Sequence, residues 1–287
     1  MIDSNVKFKQ NRRDHYIDVA KNMLALGWEA VVWNNVIVGK LTSQNHKLMQ
    51  SSSQQVVLEP VEVKECVRLR KIVAKDGIDS IKHYNRLTSI IDDVMDIQLN
   101  TNNPSSKLYD IIAVCPGNQQ VFSHLCKSAP IDLISIDFTH RVPFPMNKAL
   151  LDEAVARGVF FEIVYTPMLT NATLRKDVMS GTRVLIQFLR GRNIVLSSGV
   201  EHCQDVRGPF DAINIGQLLG MSQQQAKDAI GKNAQSLIQH GAARKLKHMP
   251  VEVLPLHELT RRCDTYASPV HCLSHTVYVG VRLFVSR

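Results

Sequence analysis

The sequence predicts an α/β fold in which short parallel strands alternate with helices and close into a (β/α) TIM-like barrel. Short apolar runs recur along the chain, and most precede a segment with helical spacing, which is the pattern of βα units. The runs are continuous rather than alternating, as expected for parallel strands buried on both faces. Roughly seven to eight strands in about 240 residues favour a barrel. An open doubly wound sheet is the alternative, although the sequence lacks the glycine-rich motifs of nucleotide-binding folds.

The first three elements form one strand–helix–strand unit. Met1–Val6 is a short apolar run, and Tyr16–Leu26 carries apolar residues at helical spacing before Gly27, a helix stop. Trp28–Val38 is the next predicted strand. Lys40–Gln55 is rich in Ser, Gln and Asn, which predicts an exposed loop.

The following region is less regular. Val56–Leu58 is a short extended piece that Pro60 ends, and Lys64–Lys75 has the spacing of a basic amphipathic helix. Arg86–Ile91 is predicted as a strand, and Asn100–Ser106 as a loop because of its Asn, Pro and Ser content.

Strand and helix patterns then alternate regularly. The predicted strands are Asp110–Val114, Asp132–Asp137, Phe160–Tyr165, Ile194–Ser198 and Asp211–Ile215. The predicted helices are Gly117–Ser128, Asn147–Arg157, Thr173–Leu189 and, with Ser222 as N-cap, Gln223–His240. The sequence therefore divides into a barrel domain over 1–248 and a basic C-terminal appendage over 249–287, in which Val277–Val285 alternates as a strand does.

Composition restricts the classes of partner. The 287 residues carry a formal net charge of +8, so polyanions such as RNA, DNA or an anionic membrane surface are expected partners. No run reaches the roughly 18 apolar residues of a membrane helix, and the first residues lack the apolar core of a signal peptide. The six cysteines are widely spaced without a C-x-x-C pair, which argues against a zinc ribbon and favours a reducing compartment.

Catalytic patterns are weak at the predicted strand ends. No H-x-H follows a strand and no H-E-x-x-H occurs. Ser197 and Ser198 lack the first glycine of a nucleophile elbow, and Cys115 lies in an apolar context typical of a core thiol. A scattered metal site remains open, but ordinary solvated loop residues are the favoured interpretation of its candidates, which are Asp92, Asp137, His140, Glu201 and His202.

Basic residues are more informative than the acidic ones. Arg175 and Lys176 open a predicted helix, and Arg183 and Arg190 continue along it. Arg207 precedes Gly208-Pro209, and Arg244, Lys245 and Lys247 follow the last predicted helix. Guanidinium groups and the backbone N–H groups at a helix start attract phosphate, so these residues could form a phosphate-contacting face. Solvated helix faces are the alternative. Aromatic residues make up 6% of the chain without an RNA-binding aromatic motif, so backbone and shape contacts are expected rather than base stacking. The candidate RNA- or partner-binding residues are Arg175, Lys176, Arg207, Arg244 and Lys245.

Six segments carry a resemblance to a known family. They are Leu108–Val114, Asp132–Ile136, Phe161–Pro167, Asn193–Ser198, Val206–Asp211 and the pattern His240-Gly241-x-x-Arg244-Lys245. In order and spacing they resemble the barrel-type protein subunit of ribonuclease P and ribonuclease MRP. The resemblance covers residues 1–248, whereas Lys40–Gln55, Lys64–His83 and Met249–Arg287 match it poorly.

The resemblance implies a barrel similar to the polymerase-and-histidinol-phosphatase (PHP) phosphoesterases that has lost their metals. Those enzymes carry H-x-H after the first strand, where this chain has Asp3-Ser4-Asn5. It further implies a subunit without catalytic residues, cofactor or metal of its own. Arg175, Arg207, Arg244 and Lys245 match motif positions and would face RNA or a partner.

The implied setting is a ribonucleoprotein of the nucleus and nucleolus. Its RNA removes the 5′ leader of precursor tRNA, and ribosomal RNA processing is implied as well. The implied partners are ribonuclease P RNA, MRP RNA, precursor tRNA and other protein subunits, with no membrane. Two alternatives stay open, namely a metal-dependent PHP-type phosphoesterase and a protein scaffold without RNA contact.

Overall fold

Seven parallel strands form a single sheet whose spatial order is the same as their order along the chain. The computed structural model describes residues 1–7, 13–41 and 81–246. Each strand pairs in parallel with the next, which confirms the predicted barrel. The strands are β1 (Ile2–Lys7), β2 (Ala30–Val38), β3 (Lys82–Ile91), β4 (Ile111–Pro116), β5 (Leu133–Ser135), β6 (Phe160–Val164) and β7 (Ile194–Ser197).

The first and last strands approach each other and nearly close the sheet. Val6 forms a parallel bridge with Val200, and the amide of Lys7 donates to the Val200 carbonyl at 2.9 Å. The Gly199 amide donates to the Asn5 carbonyl at 2.8 Å. These bonds bring the residues that follow β7 beside β1, so the carboxyl ends of all seven strands surround one interior.

Helices follow the described strands other than β2 and cover the outside of the barrel, whereas most of the connection from β2 to β3 lies outside the described residues. No helix among the described residues is long and apolar enough to cross a membrane. The helices are α1 (Arg13–Ala25), α2 (Val94–Asn102), α3 (Gln119–Lys127), α4 (Lys148–Ala156), α5 (Thr166–Thr170), α6 (Ala172–Leu189), α7 (Pro209–Leu218), α8 (Gln223–Ile230) and α9 (Lys232–Leu246), with short 3₁₀ turns at Pro104–Leu108 and Cys203–Asp205.

The amino end of the barrel interior is filled by apolar side chains and closed by α9. Ala234 and Leu237 of that helix are fully buried against inward-facing residues from five strands. These apolar side chains occupy the amino end of the interior, and the polar interior residues lie above them towards the carboxyl ends of the strands. The strand residues are Val32, Ile111, Ala113, Leu133, Phe160 and Val195.

The predicted loop Asn100–Ser106 is wrong, because this stretch contains the end of α2 and the 3₁₀ turn that follows it. Its polar residues serve as caps rather than as loop breakers. The Asn103 side chain accepts the Ser105 amide at 3.0 Å. Asn100 is buried, where it accepts the Leu41 amide at 2.7 Å and donates to the Gly39 carbonyl at 3.0 Å.

The predicted strand Asp211–Ile215 is also wrong, because it lies inside helix α7. Pro209 occupies the first turn, which is the position where a helix tolerates proline best. Ala212, Ile213 and Ile215 are buried, so the run is apolar because the helix packs against the barrel. A short apolar run does not by itself distinguish a buried strand from a buried helix.

The predicted helix Gln223–His240 is two helices. Ser222 begins the first with a capping box, in which its hydroxyl accepts the Gln225 amide and the Gln225 side chain accepts the Ser222 amide. Gly231 separates α8 from α9, which continues to Leu246. The loop Lys40–Gln55 beyond residue 41, the segments Val56–Leu58 and Lys64–Lys75, and the appendage 249–287 lie outside the described residues, so the domain boundary stays a prediction.

Candidate functional site

A buried ion pair joins opposite strands at the carboxyl end of the barrel interior. Arg86 of β3 and Glu162 of β6 are both fully buried. The two guanidinium Nη atoms donate to the two carboxylate oxygens, each at 2.6 Å. This bidentate geometry is the arrangement in which arginine and carboxylate interact most strongly. The centre of the barrel is therefore occupied by protein charge.

Side chains from three further strands complete the network around this pair. The Ser197 hydroxyl of β7 and the Asn5 amide of β1 donate to Glu162 Oε1 at 2.6 and 3.0 Å. The Arg86 Nε donates to Thr88 at 2.9 Å, and Thr88 donates to Asn34 of β2 at 2.6 Å. Asn34 in turn donates to Asn5 at 2.8 Å. A buried charged pair is stable only when its remaining polar atoms are satisfied, and this network supplies those partners.

The network keeps Glu162 ionised. Burial alone would raise the pKa of Glu162, but the Arg86 charge and the hydrogen bonds from Arg86, Ser135 and Ser197 hold this pKa below its usual value. The Glu162 carboxylate is therefore already paired with the Arg86 guanidinium. A cation entering this interior would meet the Arg86 charge, so the arrangement disfavours a metal ion at this position.

The metal candidates from the sequence are not brought together. Within the described ranges, no group of three or more His, Cys, Asp and Glu residues is placed to hold a metal ion. Glu201 instead pairs with Lys7 at 2.8 Å, and Asp137 accepts the amide and hydroxyl of Thr139. The Glu201 and Asp137 carboxylates are therefore each engaged with a different neighbour.

Asp3, which the resemblance would place where PHP phosphoesterases carry the H-x-H motif, is buried and makes structural hydrogen bonds. Its Oδ1 accepts the amides of Ser198 and Asn5 at 3.1 and 3.2 Å, which ties β1 to the end of β7. Its Oδ2 and the nearby Tyr165 hydroxyl have no hydrogen-bond partner. Burial raises the pKa of Asp3 to about 6, and burial together with the Asp3 charge raises the pKa of Tyr165.

The nucleophile candidates have structural roles. The Ser197 hydroxyl donates to Glu162, and the Ser198 hydroxyl donates to the Asn5 carbonyl at 3.1 Å. Burial raises the pKa of the Cys115 thiol to about 11, so it is protonated at neutral pH. These observations agree with the structural interpretation of the three side chains.

Three of the predicted basic residues lie near the starts of helices that follow β6 and β7. Arg175 and Lys176 begin α6, and Arg207 precedes α7. All three are exposed, and none has an ion-pair partner among residues 1–7, 13–41 and 81–246. Two of them are held by hydrogen bonds: the Arg175 side chain donates from Nε to the Met168 carbonyl at 3.0 Å, and the Arg207 carbonyl accepts the Trp28 indole at 2.9 Å.

The other two basic residues lie at the amino end of the barrel and make internal ion pairs. Arg244 Nε donates to buried Asp132 at 2.9 and 3.2 Å, and Lys245 contacts Asp110 at 2.6 Å. His240 Nδ1 lies 2.8 Å from the same Asp132. Asp110 and Asp132 precede β4 and β5, so the pattern His240-Gly241-x-x-Arg244-Lys245 fixes α9 to the amino end of the barrel. An RNA- or partner-binding role for Arg244 and Lys245 stays a prediction.

The sequence reasoning missed the central pair, although the sequence contained a signal for it. Glu162 interrupts an apolar strand pattern and Arg86 is the first residue of another predicted strand, and charged residues are almost never fully buried unless they are paired. Two residues of opposite charge in predicted buried strands are the signal that could have identified the pair.

A family model described as RNase P subunit p30 matches residues 1–246. Protein GAMETOPHYTE DEFECTIVE 1 of Arabidopsis thaliana is 32% identical over 235 residues, or 81% of this chain, which spans 40% of that protein's length. Ribonuclease P protein subunit p30 of Mus musculus is 33% identical over 202 residues, which cover 70% of this chain and 75% of that protein. Ribonuclease P/MRP protein subunit RPP1 of Saccharomyces cerevisiae is 27% identical over 192 residues, covering 67% and 63%.

Among solved structures, a chain of an archaeal ribonuclease P, determined by cryo-electron microscopy with mature tRNA, superposes with a TM-score of 0.61. Its sequence identity is 13%, and the match covers 89% of this chain and 98% of that chain. Because the sequence identity is only 13%, this structural similarity is evidence for the fold alone.

Proposed function

This chain belongs to the RNase P subunit p30 family, and on that premise we propose that it is a non-catalytic protein subunit of the ribonuclease P and MRP ribonucleoproteins. The RNA of the complex removes the 5′ leader from precursor tRNA, and the chain supports that reaction by holding RNA and other protein subunits. The observation that carries the proposal is the family match over residues 1–246.

The barrel interior supports a non-catalytic role. In (β/α) barrels the chemistry is carried by residues at the carboxyl ends of the strands. Here the central positions hold Arg86 and Glu162 in a fully buried, bidentate pair. A phosphoesterase would need its carboxylates free to hold metal or to move protons, and the central carboxylate is already saturated. The alternative of a PHP-type phosphoesterase is therefore not favoured.

The exposed basic residues Arg175, Lys176 and Arg207 are the proposed contacts to RNA or to a partner subunit. Hydrogen bonds hold the Arg175 side chain and the Arg207 carbonyl, which lowers the entropy that these two residues would lose on binding. Arg244 and Lys245 are proposed to act first through α9, because they pair with Asp132 and Asp110.

The proposed partners are ribonuclease P RNA, MRP RNA, precursor tRNA and other protein subunits. Eukaryotic relatives named as ribonuclease P or MRP subunits support a nuclear protein. We extend this proposal to the nucleolus, since ribosomal RNA processing is part of the proposed role.

The proposal is tested by purifying the tagged chain from cells and sequencing the RNA that accompanies it. We expect ribonuclease P RNA and MRP RNA to be enriched over a purification from untagged cells. Recovery of neither RNA would contradict the proposal. Hydrolysis of a phosphoester by the purified chain with stoichiometric bound metal would support the phosphoesterase instead.

A further inference from the structure

One exposed face of helix α6 carries cations and neutral polar side chains only. Counted from Lys176, this face follows alternating steps of four and three residues, which keep side chains on one side of a helix. Its five members are all exposed, and none is acidic. They are Lys176, Ser180, Arg183, Gln187 and Arg190, referred to below as the α6 stripe.

The three charged members of the α6 stripe are free to bind a ligand. In the part of the chain that the structure describes, the side chains of Lys176, Arg183 and Arg190 make no ion pair or hydrogen bond. Other cations are already engaged: Arg192 pairs with Asp152 at 2.7 Å, and Arg157 donates to three backbone carbonyls around the end of α3. Asp177 is the acidic residue beside the stripe, and it lies one position off its line.

Helix α6 holds this stripe rigidly. Its opposite face is buried, with Val178, Leu185 and Leu189 in the core. Gly181 lies so close to the Phe138 ring that a Cβ there would come within 2.5 Å of it, so helix and barrel are in direct contact. With a rise of 1.5 Å per residue, the three cations are spaced about 10 Å apart over roughly 21 Å.

Arg190 ends the stripe in a backbone conformation that favours glycine. Its φ is 52° and its ψ 36°, the left-handed region in which helices commonly end with glycine or asparagine. Its carbonyl accepts the Gln225 side chain at 2.9 Å, which holds this conformation. Arg190 directly follows the last residue of α6 and adds a third exposed cation beyond Lys176 and Arg183, at a position where glycine would suit the backbone better.

We propose that the α6 stripe, through Lys176, Arg183 and Arg190, binds the phosphate backbone of a duplex RNA segment. A straight row of spaced cations separated by serine and glutamine suits sugar–phosphate contacts. The row carries no aromatic side chain on which an unpaired base could stack, which favours a duplex over a single strand. This inference rests on the proposed function and names the RNA surface within it.

The test uses the full chain and a labelled synthetic RNA stem, with binding measured across about 50 to 200 mM salt. The stripe variant replaces Lys176, Arg183 and Arg190 with Gln. A matched variant removes the same charge elsewhere by replacing Lys82, Lys107 and Lys127, which are exposed and unpaired among the described residues, with Gln. Thermal melting of both variants checks that folding is unchanged.

For the stripe variant, the slope of log affinity against log salt concentration should be about 2 to 3 less negative than for the wild type, because each phosphate contact contributes about −0.9 to this slope. The matched variant should keep the wild-type slope. Equal slopes in the two variants, or no salt-dependent duplex binding by the wild type, would overturn the inference. So would loss of a protein partner by the stripe variant with duplex binding unchanged, which would identify the stripe as a protein-docking surface.

A single substitution separates binding from folding. Arg190→Gly should weaken duplex binding while the melting temperature stays equal or rises, since glycine relieves the left-handed backbone. Unchanged duplex binding by the Arg190→Gly variant would show that Arg190 does not contact the RNA. Recovery of ribonuclease P RNA with the wild-type chain would leave the proposed function standing even if these binding results overturn the inference.

Discussion

Arg86 and Glu162 meet across the barrel interior through two parallel hydrogen bonds of 2.6 Å, and neither side chain is exposed to solvent. They belong to β3 and β6, so the pair spans the sheet rather than linking neighbours. Asn5, Thr88 and Ser197 satisfy the remaining polar atoms. Because of this pairing, the Glu162 carboxylate is unavailable for chemistry.

Removing one partner of this pair should be strongly destabilising. Arg86→Met is expected to lower the free energy of unfolding by about 3 to 5 kcal/mol, because Glu162 would stay buried without a compensating charge. Urea unfolding followed by circular dichroism measures the loss. The double variant Arg86→Met, Glu162→Leu should recover much of it, since apolar replacements of buried pairs are often neutral. If the single and the double variant lose the same free energy of unfolding, the unpaired Glu162 charge is not the cause of the destabilisation.

Asp3 should give the protein a measurable pH dependence of stability. Its pKa rises from 3.8 to about 6 on folding, so between these pH values the folded chain holds a proton that the unfolded chain has released. The contribution of protonated Asp3 to the free energy of unfolding is therefore fully present below pH 3.8. It is lost as the pH rises to about 6, and the loss is at most about 3 kcal/mol.

Asp3→Asn removes this titration while an amide oxygen can still accept the Ser198 and Asn5 amides. The variant should be more stable than the wild type at pH 7, with a difference that shrinks towards pH 4. Urea unfolding at several pH values provides the comparison. A difference that does not change with pH would exclude Asp3 as the titrating group.

Gly241 should be intolerant of alanine although it lies inside a helix. A Cβ at this position would come within 1.9 Å of the Asp110 carbonyl oxygen, which is backbone and cannot move independently of β4. Alanine normally favours a helix over glycine by about 1 kcal/mol, but here Gly241→Ala should destabilise by about 1 to 3 kcal/mol. Thermal unfolding measures the change. Ala242→Gly, at the exposed neighbouring position, is the control and should cost about 1 kcal/mol. A stabilised Gly241→Ala would mean that α9 is not in close contact with the barrel.

Much of the fold follows from local patterns in the sequence. Apolar runs predicted all seven described strands close to their observed positions, as β2, β4 and β6 illustrate. Ser222 was identified as an N-cap from its residue type and its place before a helical pattern. The errors occurred where local chemistry is ambiguous. The apolar Asp211–Ile215 is equally suited to a buried helix, and the polar Asn100–Ser106 provides helix caps.

The site was harder to predict because its contacts join residues that are distant in the sequence. Arg86 and Glu162 are 76 positions apart, and nothing local indicates that their two strands face each other. Arg244 and Asp132 are 112 apart, so an arginine that the sequence presented as an RNA contact has an internal ion pair as well. From the sequence, Arg175 and Arg244 are alike as basic candidates. Only the fold shows that Arg175 is exposed without an ion-pair partner among the described residues, whereas Arg244 pairs with Asp132.

The most direct test of the central claim is cleavage of precursor tRNA by ribonuclease P reconstituted with and without this chain. We expect the chain to increase removal of the 5′ leader when the RNA and the other protein subunits are present, and to have no activity alone. Cleavage by the chain without the RNA, or an unchanged rate when it is omitted from the complex, would contradict a non-catalytic subunit of ribonuclease P.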